Sequence, residues 1–138
     1  MRVVLDTNIL LSTLIAAHSP PFRIYQAWRQ GRFELLTSDA QLAELTAATR
    51  YPRLRARIAP AEAGRMVNLI RANATLIAKP HTVSASPDPD DNRILAIAEA
   101  GSADYLVSSD LGDLVALERY AGTRIVSARI FIQQVLQD

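Results

Sequence analysis

The sequence predicts an α/β protein of three layers, α/β/α, with a central parallel sheet of five strands. Three observations carry this: aliphatic runs alternate with helical patterns, the strand-like runs are apolar at consecutive positions, and no repeat, low-complexity tract or long linker interrupts them. A strand that is apolar on both sides needs cover on both faces, which is the signature of parallel sheets sandwiched by helices. With 138 residues, 49% of them hydrophobic, positions 1–138 have the length of one domain and enough apolar surface for a core without staples.

In order, strands are expected near 2–6 ("RVVLD"), 33–37 ("FELLT"), 74–78 ("ATLIA"), 104–107 ("DYLV") and 123–126 ("TRIV"). Helical periodicity runs near 8–17, 21–30, 39–50, 60–73, 91–100 and 127–137. Ser38 is placed to cap the third of these, and Pro21 and Pro60 sit near first turns, where a missing N–H costs nothing. The helix at 21–30 carries Phe22, Ile24, Tyr25 and Trp28. Such aromatics are usually core and less often an interface.

Composition removes several function classes. There is no cysteine, so disulfides, thiolate metal sites and cysteine nucleophiles are excluded, and any metal must be held by oxygen or by the two histidines. His18 and His81 lie in proline-rich loops and read as loop histidines. The start, "MRVVLDTNILLSTLIAA", mimics a signal peptide, but Asp6 and Asn8 interrupt the apolar stretch, and no run of 18 apolar residues exists. A cytoplasmic location without membrane association is expected. A net charge of +1 gives no global basic signature. The local signal is "RYPRLRAR", with Arg50, Arg53, Arg55 and Arg57 as candidate phosphate contacts or, equally well, a solvated helix end.

In a parallel sheet the ligand sits beyond the carboxyl ends of the strands, where the strand order reverses. That rule draws distant acids together. Asp6 and Asn8 close the first strand; Ser108, Ser109 and Asp110 close "YLV"; Asp88, Asp90 and Asp91 open the helix "NRILAIAEA". A carboxylate at the end of a buried strand is costly unless hydrogen-bonded or bound to a cation, so Asp6 reads as a site residue or as the cap of the helix after it. Glu44 stands in a stripe of alanines, Ala40, Ala47 and Ala48, which admits close approach but equally suits an exposed helix. Of the three acids at 88–91, Asp91 is the candidate for chemistry, with Asp88 or Asp90 as cap. Asp110 is the candidate at the later strand end, with Asp113 as an auxiliary or as the cap of a short helix "LVALERY". Four carboxylates packed together repel unless a cation neutralises them, and an all-oxygen set points to Mg²⁺ or Mn²⁺.

The motifs "VVLDTNILLS", "LAEL", "DPDDNRILAIA" and "YLVSSDLGDL", in that order and nearly end to end, make the chain resemble the PIN-domain ribonucleases, in particular the toxin components of bacterial toxin–antitoxin pairs. The resemblance implies a PIN-like α/β fold and a metal-dependent endoribonuclease that hydrolyses RNA phosphodiesters with one or two ions. It assigns the site to Asp6, Glu44, Asp91 and Asp110, with Asp6, Asp91 and Asp110 as metal ligands and Asn8 and Ser108 in supporting roles. It also implies a homodimer and, for a toxin, a small antitoxin blocking the acidic groove. An aspartyl-phosphate phosphatase would need an acid where Asn8 stands. The competing reading is a PIN-fold module that binds RNA or a partner and cleaves little.

Overall fold

The computed structural model describes residues 1–137. Five strands run parallel in the order β3 (Thr75–Leu76), β2 (Glu34–Thr37), β1 (Arg2–Leu5), β4 (Tyr105–Val107) and β6 (Thr123–Val126), and β5 (Arg119–Tyr120) adds an antiparallel edge on β6. The expected five parallel strands are therefore present, with one short strand more. β5 turns into β6 through two successive left-handed residues, Ala121 (φ 49°) and Gly122 (φ 85°), the geometry that lets a tight hairpin follow the sheet twist.

Strand residues alternate between two cores. Val3, Leu5, Leu35 and Val107 face one apolar cluster, and Val4, Leu36, Leu106 and Ile125 face the other. The first is roofed by α1 (Thr7–Ile15), α2 (Pro20–Arg29), α3 (Asp39–Ala48), α5 (Pro60–Asn73) and α7 (Ala128–Phe131), the second chiefly by α6 (Pro89–Ala100). This double cover explains why the strands are aliphatic throughout. Trp28 and Ile24 are buried in the first core, so the aromatic face of α2 is spent largely on packing, with Tyr25 tilted against Trp28 at 5.5 Å between ring centroids. Ser38 caps α3 by accepting from Gln41 N, as expected. Between α3 and α5 the arginine-rich stretch forms one further short helix, α4 (Pro52–Arg55).

Two expectations need correction. "LVALERY" is not one helix capped by Asp113: a 3₁₀ turn spans Val115–Leu117, Leu114 precedes it without a side-chain cap, and the chain then extends into β5. Left-handed backbone at Glu118 (φ 62°) stops the turn and sends the chain back along β6. The last helix is regular only over α7 and continues as a wider π turn, Ile132–Leu136.

The strand order 3-2-1-4-6 reverses direction between β1 and β4. Their carboxyl ends are the place such a sheet reserves for ligands.

Candidate active site

Asp6 leaves β1 at that switch point. Its backbone N–H donates to Val107 O (3.0 Å), so the last rung of the β1–β4 ladder holds it. Its carboxylate then does two jobs. Oδ1 accepts from Asn8 N (3.0 Å) and caps α1, while Oδ2 accepts the Ser108 hydroxyl at 2.6 Å from the end of β4. Capping and site roles, alternatives in the sequence, coexist in one side chain. Behind it, Gln41 of α3 donates to Leu5 O (2.7 Å) and accepts from the Thr37 hydroxyl (2.6 Å), locking the ends of β1 and β2 together. Replacing Gln41 by Ala strands both partners in the core, and we expect a loss of about 2–4 kcal/mol in urea unfolding.

Asp91 sits in the first turn of α6, buried at 7% exposure. Asp88 caps that helix by accepting from Asp90 N (2.9 Å). The loop before it is pinned by Asn92, whose amide accepts from Ser86 N and donates to Ser86 O, each at 2.8 Å. That clamp sets the Ser86 hydroxyl to donate to Asp91 Oδ2 (3.3 Å). Asp110 is held by its own turn: its N–H donates to Ser108 Oγ (2.9 Å), and its Oδ1 accepts from Asp113 N (2.9 Å).

These elements enclose an open pocket of about 380 Å³ lined by Asp6, Glu44, Asp88, Asp90, Asp91 and Asp110, with Asn8, Ser109 and Ile94. The four acids expected to converge do so, and Asp88 and Asp90 join them. Ser108 lies behind the wall, fully buried, as the support of Asp6 and Asp110. Carboxylate oxygens of Asp91, Asp110 and Asp113 lie within 4.8 Å of one another, a set able to hold a cation. Asp6 faces the same pocket but stands outside that trio. Asp113, an auxiliary in the sequence, belongs to it.

The electrostatics follow from crowding. Burial pushes the Asp91 carboxyl up to about 7, helped by the hydrogen bond it shares with Asp110 and by the charges of Asp110, Asp88 and Asp6. Asp110 moves the other way, below the usual carboxylate range, chiefly because the Asp113 N–H favours its charged form. Burial also raises Asp6, against the Ser108 and Asn8 hydrogen bonds, and raises Glu44, with Asp90 adding to the effect. Arg93 opposes the rise at Glu44 and is itself paired with Asp90 at 3.0 Å. Beside Asp6, the buried Thr7 hydroxyl lacks a well-formed hydrogen bond, and its dipole favours the ionised form of Glu44. A divalent cation fits these donors: all are oxygen, and the carboxylates of Asp91, Asp110 and Asp113 lie close enough to share one ion that would offset their mutual repulsion.

Arg50, Arg53, Arg55 and Arg57 do not line this pocket. Arg50 and Arg55 border a separate cavity of about 470 Å³ between α3 and α5, with Thr46, Thr49 and Asn68. At 100° per residue, Thr46 points away from the face of α3 that carries Glu44, and Arg50 lies beyond the end of that helix. His81 pairs with Glu99 (3.1 Å), and neither histidine borders the acidic pocket.

A family model described as "PIN domain" matches residues 2–112. Among solved structures, the chain is similar to VapBC2 from Rickettsia felis, crystallised with a DNA fragment from its promoter. The TM-score is 0.58 at 14% identity, over 92% of this chain and 98% of the other. No curated protein matches the sequence. No described helix is long and apolar enough to cross a membrane.

Proposed function

Since the chain belongs to the PIN-domain family, we propose that it is a Mg²⁺- or Mn²⁺-dependent endoribonuclease acting at the pocket between β1 and β4. The observation that carries this reading is the convergence of Asp6, Glu44, Asp91 and Asp110 from four distant segments onto one pocket at the switch point of the sheet. Asp91, Asp110 and Asp113 would hold the cation, with Asp6 lining the same pocket as a further candidate ligand. When bound, one or two such ions lower the pKa of a coordinated water and offset charge developing on a phosphate.

The chain's own residues do the positioning. Ser108 and the Asn8 N–H fix the two oxygens of Asp6, so its charge stays aimed at the pocket. Ser86 fixes Asp91, and the turn at 110–113 fixes Asp110. Glu44, half-buried in the pocket lining and raised in pKa chiefly by that burial, is placed to take a proton from an attacking water. The acidic lining repels a phosphate from the pocket itself until a cation is present, which ties entry of the scissile phosphodiester, though not RNA contacts outside the pocket, to metal loading. Arg50, Arg53, Arg55 and Arg57, none of which lines the acidic pocket, would grip only longer RNA, and that grip should weaken with salt.

From the resemblance of its motifs to PIN-domain toxins we further propose a toxin role in the cytoplasm, with a small antitoxin partner and a homodimer as the working assembly. Incubation with single-stranded RNA, double-stranded RNA and DNA in Mn²⁺ tests the substrate class. Cleavage confined to single-stranded RNA supports the proposal, and cleavage of DNA alone refutes it. Growth arrest on expression, relieved by co-expressing the product of an adjacent short reading frame, tests the toxin assignment.

A further inference from the structure

A second cleft, of about 470 Å³, adjoins the acidic pocket, and consecutive residues divide the two: Asp110 lines the pocket and Leu111 lines the cleft. Its apolar side chains include Val115, Val126 and Ile130, and Leu111 is 67% exposed at its lip. Arg119 and Arg124 line it too, and they stand directly opposite each other on the antiparallel β5–β6 pair. Like charges in that register destabilise a sheet. Neither guanidinium has an ion pair or side-chain hydrogen bond among the described residues, and the one carboxylate lining the cleft, Glu118, pairs with neither. The edge thus carries an unrelieved repulsion that an anion would relieve, beside apolar surface that suits the face of a base. The cleft reaches the rim where Ser127 follows Val126, and Val126 O accepts from Ser108 N (3.0 Å).

We propose that this cleft is a subsite for the RNA nucleotide flanking the scissile phosphodiester, with Arg119 and Arg124 holding its phosphate; the proposal rests on the ribonuclease reading of the neighbouring pocket. The test is fluorescence anisotropy of a labelled twelve-nucleotide single-stranded RNA, with chelator present, across a salt series, for the wild type, Arg119→Gln/Arg124→Gln and the remote control Arg65→Gln. The double variant should bind roughly tenfold more weakly near physiological salt, with the slope of log K against log salt reduced by about 1.4 for two lost contacts. The control should match the wild type. An unchanged affinity and slope in the double variant, with wild-type thermal stability, would overturn the subsite and pass the cleft to an acidic protein partner. Wild-type protein that fails to bind this RNA overturns it as well. Wild-type protein that binds RNA but does not cut it in Mn²⁺ sinks the ribonuclease reading alone.

Discussion

Asp6→Asn is expected to lower single-turnover RNA cleavage by roughly a thousandfold, the size of several kcal/mol of lost charge stabilisation, while the protein stays folded. Asn keeps the shape of the side chain, and its carbonyl oxygen can still accept from Asn8 N and cap α1. What it removes is the one carboxylate on β1, at the point where the strand order reverses. Relief of the buried charge of Asp6 is offset by loss of the acceptor for the Ser108 hydroxyl, so the variant should shift little in thermal stability without metal. Undiminished cleavage by the variant would sink its assignment, and an unfolded variant would show that the buried Ser108 hydroxyl needs the Asp6 carboxylate as its acceptor.

The second large effect lies in the pH dependence of stability without metal. Asp91 titrates at about 7 in the folded state, against 3.8 for the unperturbed carboxyl. Between those values the native state holds a proton that the unfolded chain does not, so stability falls as pH rises. The contribution is complete below pH 4 and gone once pH passes the folded value. Asp6 and Glu44 are raised too and act in the same direction, whereas the lowered Asp110 acts only at more acid pH. A fall on the order of a few kcal/mol is expected between pH 5 and 8. Millimolar Mg²⁺ or Mn²⁺ should reverse it, most strongly at pH 8, because a ligand of the native state stabilises it and competes with the proton. Asp91→Asn should flatten the pH profile, raise stability at pH 8 without metal and abolish most of the metal-induced gain. A thermal midpoint that rises from pH 5 to 8 without metal would contradict this account of the pocket.

Much of this was legible in the sequence because it depends on local pattern. Runs such as "RVVL" and "ELLT" are aliphatic because both faces of their strands are buried, and the acids of the pocket sit at strand ends or helix starts. Strand β5 was hidden because its hairpin turns on Ala121, a residue with no preference for left-handed backbone, in place of an Asn-Gly signal. The supporting layer was hidden for another reason. Gln41 and Asn92 look like ordinary polar helix residues, and only the packed fold puts one against Leu5 O and the other against Ser86. Asp113 looked auxiliary because its spacing fits a cap, yet the Asp110 turn brings its carboxylate beside Asp91 and Asp110. The arginine cluster shows the limit of linear proximity: it follows Glu44 closely in sequence, but it lies beyond the end of α3, where Arg50 and Arg55 border a different cavity.

The most direct test is cleavage of single-stranded RNA by chelator-treated protein before and after Mn²⁺ is restored, with thermal stability followed in the same samples. The account predicts no cleavage with chelator, cleavage on adding Mn²⁺, and a rise in thermal midpoint over the same concentration range. Cleavage that persists in chelator, or a protein that gains stability from Mn²⁺ yet leaves RNA intact, would contradict it.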